Sequence, residues 1–511
     1  MNIGLYYRTI RHLTLRQIVF QVWNRLRGRP RLRWSALLPA NVPKPTYPVQ
    51  FAFLNQPVTF TESIDWNYAA NGKLWTYHLN YFEFLAHQSA REGLALIHDF
   101  ISQTAHLEDG LEPYPVSLRV VNWWAFLRKH HLQDATIEQH LYAQTALLRS
   151  RLEYHLGANH LLENACALTI MAVHFRHSAW FVKAAKLLRA ELAEQILSDG
   201  GHYERSPVYH QLLTDRLLAV YDVLCTDPWP PDATLIALVA NTLGVMLGWL
   251  RAVTFRNGDV PLVNDSARGV APSTADLLSK AAALGLVPTP VRLGESGYRM
   301  LTTDRLECFI DVGPVGPDHQ PGHAHADTLS FILYADQKPV IVDSGTSTYA
   351  IGARRAYERS TAAHNTVLVG GQNSSEVWGG FRVGRRATVD WLQDDETAVS
   401  ACHSGYVSSA NTYHTRTWCV NGADCITITD TISKKEVASE YRIFFDPSIY
   451  LTNEQTNIIA GGICVGYVST TLNKLSINTC LIANGFNQAV AAQVLTIRFT
   501  NSLTTFFAAS P

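Results

Sequence analysis

The sequence predicts an α+β multidomain protein: an N-terminal domain of stacked helix pairs, an (α/α) toroid or a solenoid, followed by a C-terminal antiparallel β-sandwich. Three observations predict it. Up to about residue 290, apolar side chains recur at helical spacing. From about residue 298, apolar and polar residues alternate in short runs rich in Val, Ile, Thr, Tyr and Phe. Between the two lies "LGLVPTPVRLGESG" (284–297), rich in proline and glycine as a linker is. A chain of 511 residues also exceeds what one hydrophobic core organises.

Taken in order, residues 1–60 read as a helical extension. Arg8, Arg11, Arg16, Arg25 and Arg27 interleave with apolar residues at roughly helical spacing. A helix packed on the main body is the expected outcome, with an amphipathic membrane-surface helix as the alternative. The segment has no unbroken apolar core and no small-residue cleavage site, so it does not read as a secretory signal. The expected location is accordingly cytoplasmic or peripheral, in a bacterium. The toroid is expected over 61–292. Helical periods run near 74–104, 117–130, 136–154, 160–174, 180–197, 207–225 and 233–254. In "WFVKAAKLLRAELAEQIL", Phe181, Ala184, Leu187, Leu188, Leu192 and Ile196 form one stripe with charges opposite. The uncharged run Ala233 to Leu250 is of marginal length for a membrane span and reads better as a buried helix. The β-domain is expected over 298–511. "LECFIDVG", "LSFILYA", "PVIVDSG", "NTVLVGG", "ATVDWL", "DCITITDTI", "YRIFFD" and "VLTIRFT" are examples of its strands. Asp336-Gln337-Lys338, Gly370-Gly371 and Asn421-Gly422 are its turns.

Composition removes several function classes. A net charge of -1 gives no global attraction to nucleic acid. Eight cysteines without a CxxC pair exclude a zinc ribbon or dithiol motif. Cys419 and Cys425 flank Asn421-Gly422 and are placed to face each other across a hairpin.

Chemistry concentrates in a few segments. "GHAHADTLSF" carries His323 and His325 two apart, on one face if they begin a strand. With Asp343 in "VIVDSGTSTY" and His364 in "STAAHNTVLV", they offer nitrogen and oxygen donors of the kind that hold zinc. "GANHLLENACAL" places Asn159, His160 and Glu163 at a helix start. Asn159 can be the N-cap, and Glu163 can orient His160 from three residues on. In "GGHYERSPVYHQLL", Ser206 and Pro207 mark a helix start that projects Tyr209. Arg354, Arg355, Arg359, Arg382, Arg385 and Arg386 lie beside Trp378 and Phe381, a pairing suited to anionic sugars. Trp75, Tyr77, His78, Arg119, Asn122 and Trp123 repeat that pairing in the helical part.

Together "NHLLEN", "GGHYERSPVYH", "GHAHADTLSF", "VIVDSGTSTY" and "RRAYERSTAAHNTV" resemble the heparinase II/III-like polysaccharide lyases, a superfamily that includes alginate lyases. The segments run in the family's order, from about residue 75 to 390. The resemblance implies that Tyr209 is the catalytic tyrosine, that Asn159 and His160 bind the substrate's carboxylate, and that His323 faces the cleft. It implies that His325, Asp343 and His364 hold a zinc that is structural, and that Glu163 supports the site. The expected reaction is β-elimination on a uronic-acid polysaccharide, with heparan sulfate, chondroitin, hyaluronan, alginate and bacterial exopolysaccharides all open as substrates. A tyrosine base needs its pKa lowered from about 10, and Arg205 or Arg359 are the expected charges. Tyr349 and Tyr357 are second-rank candidates.

Two hydrolase readings are weaker. An HxH amidohydrolase carries its motif early in an α/β barrel, not after some 290 mostly helical residues. An inverting glycosidase needs a dominant acid pair, and Glu163, Glu204 and Asp215 do not form one in sequence. The alternative from another class is a non-catalytic or accessory acidic-glycan-binding protein of bacterial exopolysaccharide assembly. The stretch "LWTYHLNYFEFL" resembles family members found with such systems.

Overall fold

The computed structural model describes residues 3–32, 34, 42–227, 229, 232–454, 457–460, 463–469 and 472–509. The chain forms two compact units that interleave along the sequence. One holds Thr14–Glu194 and Asp215–Asn241; the other holds Met1–Leu13, Gln195–Thr214 and Thr242–Pro511.

The first unit is helical. Its elements are α2 (Leu15–Arg27), which follows α1 (Ile3–Ile10) of the other unit, then a hairpin of β1 (Val49–Phe53) and β2 (Gln56–Phe60). After these come α3 (Lys73–Tyr81), α4 (Ala90–Gln103), α5 (Pro113–Lys129), α6 (Ala135–Ser150), α7 (Ala158–His174) and α8 (Ser178–Gln195). The region expected as an N-terminal helical extension thus contains a β-hairpin as well as two helices. The helical period read over 74–104 is broken in two. Phe82 takes a left-handed φ of 62, and Ser89 opens α4 by accepting from the Glu92 N–H. Helices α9 (Pro207–Thr226) and α10 (Ala233–Val253) are long enough to be shared between the units. α10 meets the length and hydropathy of a membrane span, yet half of its apolar window is buried. Leu235, Val239, Leu243, Met246 and Leu250 are among its fully covered side chains, which fits the buried-helix reading.

The second unit is mainly antiparallel sheet, preceded by α11 (Thr274–Ala283). A four-stranded sheet runs β3 (Tyr298–Thr302), β4 (Leu306–Asp311), β5 (Phe331–Ala335), β6 (Lys338–Ile341). A short helix α12 (Ala353–Glu358) leads to β7 (Val367–Val369), and β8 (Val377–Trp378) pairs β9 (Arg382–Val383). Next come β10 (Val389–Asp394), β11 (Ala398–His403), the single turn α13 (Val407–Ala410), β12 (His414–Val420), β13 (Cys425–Ile432) and β14 (Ser439–Phe444). The chain ends with β15 (Leu451–Glu454), β16 (Asn457–Ala460), β17 (Ile463–Ser469), β18 (Leu472–Ala483), β19 (Ala489–Phe499) and β20 (Ser502–Ala509). An eight-stranded sheet orders these as β10-β11-β12-β13-β20-β17-β16-β15, and a second four-stranded sheet as β18-β19-β14-β7.

Side chains from all three larger sheets meet in one apolar core. Phe331, Trp418, Ile428, Ile443, Leu495 and Phe507 are each at most 1% exposed within it. The β5–β6 turn has the expected chemistry: Asp336 and Gln337 both take positive φ, which matches the twist of a two-residue hairpin. The Cys419–Cys425 pairing is corrected. Cys419 lies opposite Thr427 in the β12–β13 ladder, and both cysteines are free. A four-residue connection offsets them, where a direct pair would need facing registers.

Candidate active site

The helical unit places Asn159 and His160 in the first turn of α7. Gly157, the N-cap, and Ala158, the first residue of the helix, both take positive φ, so Asn159 sits inside the helix. That corrects the expectation that Asn159 is the cap. Asn159 is buried, while His160 is half-buried with its ring against Tyr114, centroids 4.3 Å apart. The acid beside His160 is Glu153, Oε1 to Nδ1 3.3 Å, not the expected Glu163. Glu163 instead pairs with Arg216 at 2.6 Å. Burial pushes the Glu163 carboxyl up, and the Arg216 charge opposes that rise. Glu153 was missed because it is supplied across the α6–α7 loop, where helical spacing gives no signal.

Most of the aromatic and basic residues read as sugar binders in this unit are core. Trp75 and Trp123 are fully buried. Trp75 donates Nε1–H to the Gln56 carbonyl at 3.0 Å and packs on Phe53 and Tyr68. Trp123 packs edge-on to Phe82 and Phe100. Arg119, also fully buried, donates to Gln144 Oε1 and to the Asn80 and Gly110 carbonyls. Asn122 donates to the Tyr81 carbonyl at 2.8 Å. These side chains tie helices and loops together, and a buried ring has no face left for a sugar. Tyr77, His78 and Asn122 keep partly exposed edges. Burial pushes His78 down to about 4.

The second unit builds a denser array. α9 begins at Pro207 as the sequence predicts, with Ser206 Oγ toward the Tyr209 N–H at 3.5 Å. Tyr209 is stacked on the His323 ring, centroids 3.9 Å apart and planes 29° apart. Its hydroxyl lies 3.1 Å from the hydroxyl of Tyr349. Residues 322–330 do not begin a strand; β5 starts only at Phe331. This corrects the strand-face reading of the His-x-His pair and removes the need for a bend within a strand. In the irregular segment the two rings approach one carboxylate through different nitrogens. His323 Nδ1 is 2.9 Å from Asp265 Oδ2, and His325 Nε2 is 3.0 Å from Asp265 Oδ1. A carboxylate held ionised can only accept, so both nitrogens carry hydrogen. His323 then keeps Nε2, and His325 keeps Nδ1, for other partners.

Arg355 forks onto both Asp265 oxygens, 2.7 Å to Oδ2. Burial raises the Asp265 pKa, but the Arg355 charge and the two imidazole hydrogen bonds outweigh it and hold the carboxyl well below the usual range. The neighbouring Asn264 fixes this node to the start of α9. Its amide donates to the Arg205 carbonyl at 3.0 Å and its oxygen accepts from the His325 N–H at 3.0 Å. Ser266 Oγ meets Ser206 Oγ at 2.9 Å.

Several expected roles change here. Arg205 spends its guanidinium on the Ser296, Tyr203 and Glu295 carbonyls. Arg359 spends its own on the Ala324, Trp378, Gly379 and Arg382 carbonyls, and burial pushes it down to about 10. Neither charge lowers Tyr209. Burial raises that phenol well above its ordinary value, and Tyr349, Asp265 and Glu204 push the same way. Tyr209 is therefore a neutral hydroxyl at rest. Tyr357, the other second-rank tyrosine, is also raised, by burial first. Arg382 lies over Trp378 at 4.9 Å, so that predicted pair forms. Another side of the indole is taken by Tyr6 of α1, and its Nε1–H donates to Thr9 Oγ1.

The expected metal ligands are close but tied. His364 Nδ1 donates to Asp343 Oδ2 at 2.7 Å, and the His325 and His364 ring centroids are 5.3 Å apart. Nδ1 of His325, Nε2 of His364 and Oδ2 of Asp327 are buried with no hydrogen-bond partner. Among the described residues no group of three or more His, Cys, Asp or Glu is gathered closely enough to hold a metal ion.

Two family models match the chain. The heparinase II/III N-terminus model covers residues 114–283, and the heparinase II/III-like C-terminal model covers 287–501. The chain belongs to the heparinase II/III-like polysaccharide lyase family. Its fold is similar to the crystal structure of heparinase III: TM-score 0.66, 15% identity, 88% of this chain and 80% of that one. It is also similar to heparan sulfate lyase HepC from Pedobacter heparinus: TM-score 0.57, 14% identity, 89% and 80% coverage. These neighbours share the helical part followed by antiparallel sheets, the fold class that the sequence predicts. FtsZ-localized protein C of Caulobacter vibrioides is 30% identical over 224 residues, 43% of this chain and 36% of that protein's length.

In this heparinase II/III-like chain, sequence reasoning missed Asp265 together with Asn264 and Ser266. Their signal was the polar triplet in "PLVNDSARG", unusual directly after an apolar run, but nothing local says that the carboxylate reaches residues 58 and 90 positions away.

Proposed function

We propose that this protein is a lyase that cleaves a uronic-acid-containing acidic polysaccharide by β-elimination, leaving an unsaturated uronate end. The observation that carries the proposal is the stacked Tyr209–His323 pair, backed by Asp265 and bridged to Tyr349. In the reaction a base removes the C5 proton beside the carboxylate. The C5–H electrons form the C4=C5 bond, the C4–O4 bond breaks, and O4 leaves with a proton. Tyr209, a phenol raised above its ordinary value, holds the proton that O4 needs. His323, with Nδ1 hydrogen-bonded to an ionised Asp265, offers Nε2 as the base. For Asn159 and His160 the proposed role is to stabilise the charge that grows on the substrate carboxylate, worth roughly 2.7–4 kcal/mol per donor. Tyr77, His78, Trp378 and Arg382 are the proposed sugar contacts.

The residues at the expected zinc site fit that ion in two respects. Nδ1 of His325 and Nε2 of His364 are buried lone pairs without partners, and each ring's other nitrogen is hydrogen-bonded to a carboxylate, as in metal-bound histidines. His325 and His364 would hold the zinc through these two nitrogens; Asp343, the third expected ligand, would have to release the His364 Nδ1–H or the Gly345 N–H to join them. Bound there, it would supply structural cross-linking between these segments. The expected result is one zinc per chain by elemental analysis and a lower melting temperature after chelation. Protein that purifies without metal and ignores chelator would refute the site.

The test of function is the ultraviolet absorbance of unsaturated uronate on a panel of acidic polysaccharides, wild type against Tyr209→Phe. Growth on one polymer, lost in the variant, establishes the reaction and its substrate class. Binding without any absorbance growth, unchanged in Tyr209→Phe, would instead support the accessory glycan-binding reading.

A further inference from the structure

Helix α2 is built inside out. Thr14 and Gln17 close a capping box at its start, so the helix and its register are well fixed. Its polar side chains face the protein. Gln17 reaches the Leu156 carbonyl, Asn24 lies 3.0 Å from His155 Nδ1, and Arg27 donates to the Ser150 carbonyl at 2.8 Å. Arg16 lies over Tyr154 at 4.2 Å and reaches Glu191. Leu15, Ile18, Val19, Val22, Trp23 and Leu26 follow the i, i+3, i+4, i+7, i+8, i+11 spacing that normally turns to a core. Here they face outward and are 40–76% exposed. α1 repeats the pattern: Arg8 and Thr9 bond to Glu376 and Trp378, while Ile3, Tyr7 and Ile10 are 51–78% exposed.

An apolar stripe of this length calls for a partner, and charge says which kind. The first 61 residues contain eight arginines and one lysine, and the first acid in the chain is Glu62. On α2 itself Arg25 flanks the stripe, with Arg29 just beyond its end, and both are exposed. A second copy of the chain would bring two cationic faces together, which disfavours self-pairing. An anionic bilayer satisfies both features: acyl chains take the apolar stripe and headgroup phosphates take the arginines. We infer that α2 is an interfacial helix that docks this protein on anionic membrane surfaces. This surface is independent of the proposed lyase site.

The experiment is sedimentation of the full chain with phosphatidylcholine vesicles, with and without phosphatidylglycerol. The chain should sediment only with the anionic vesicles, and less so as salt rises. Arg25→Gln with Arg29→Gln should weaken binding about 25-fold, taking about fivefold per charge near a surface. Val22→Glu with Leu26→Glu should weaken it at least about tenfold, since each buries a charge where an apolar group belonged. Among the described residues none of these four side chains makes a hydrogen bond or ion pair, and Val22 and Leu26 are 53% and 76% exposed, so melting temperature and polysaccharide turnover should match wild type. Equal binding by wild type and both variants, or no binding to anionic vesicles, overturns the inference. A concentration-dependent dimer that Val22→Glu with Leu26→Glu abolishes, without vesicle binding, would assign the stripe to a second copy instead.

Discussion

Asp265 and Asp430 are fully buried carboxylates in the same β-rich unit, and each is held by one arginine and histidine. Asp430 accepts from Arg416 Nε at 2.7 Å and lies 2.6 Å from His414 Nε2. The chain of bonds continues from His414 Nδ1 to His403 and ends on the Gly405 backbone N–H. Every group in it finds its partner inside the protein. Around Asp265 the same chemistry ends differently. One histidine lies against the Tyr209–Tyr349 pair, and the other has a buried nitrogen without a partner and a ring 5.3 Å from that of His364. The composition of a buried ionic network therefore does not mark a functional site. How the network terminates does: a closed one only rigidifies, and an open one presents pre-oriented groups.

The strongest test of that contrast is Tyr209→Phe. It removes one hydroxyl at the open end and should lower turnover about 10²–10⁴-fold, with an unchanged denaturation midpoint. Next is Asp430→Ala, which should cost about 3–5 kcal/mol in chemical denaturation, because Arg416 is left buried and unpaired. Its folded fraction should keep wild-type turnover; a large loss of turnover would erase the distinction between the two nodes. Asp265→Asn comes third. Beyond any loss of stability, it should lower turnover of the folded protein about 10–100-fold, as loss of an orienting partner does. Correctly folded Asp265→Asn with wild-type turnover would show that His323 needs no orientation.

The effect that leaves the site itself untouched is the pH dependence of stability. Burial, with Arg119 adding to it, pushes His140 down to about 3, and burial pushes His210 down to about 4. Both are neutral in the folded chain when the unfolded chain, near 6.5, is already protonated. Stability is therefore full above pH 6.5 and falls toward pH 4, by up to about 1.4 kcal/mol per pH unit for each imidazole. Asp430, held low by Arg416 against the upward push of burial, adds its own loss only below the ordinary carboxylate range near 3.9. Denaturant midpoints across this window, for wild type and Asp430→Ala, separate the two contributions.

The sequence by itself determined the change from helices to strands and most of the longer elements, though not the β1–β2 hairpin. Periods of 3.6 and 2 are properties of neighbouring residues, so helices and strands could be read locally, and Ser206-Pro207 gave the start of α9. The segments carrying Tyr209, His323 and His364 were legible because each holds uncommon polar groups beside an apolar run. Which of those groups meet was decided only by the tertiary structure. Trp75, Trp123 and Arg119 looked like a sugar platform because residue type does not report burial. Glu163 looked like the partner of His160 because spacing along a helix cannot see Glu153 beyond its end. Asp265 went unnoticed because its meaning lies in Arg355, His323 and His325, brought to it from distant loops. The exposed side of α2 was likewise undetermined: periodicity shows that a helix has two faces, and only packing shows which one is left to the solvent.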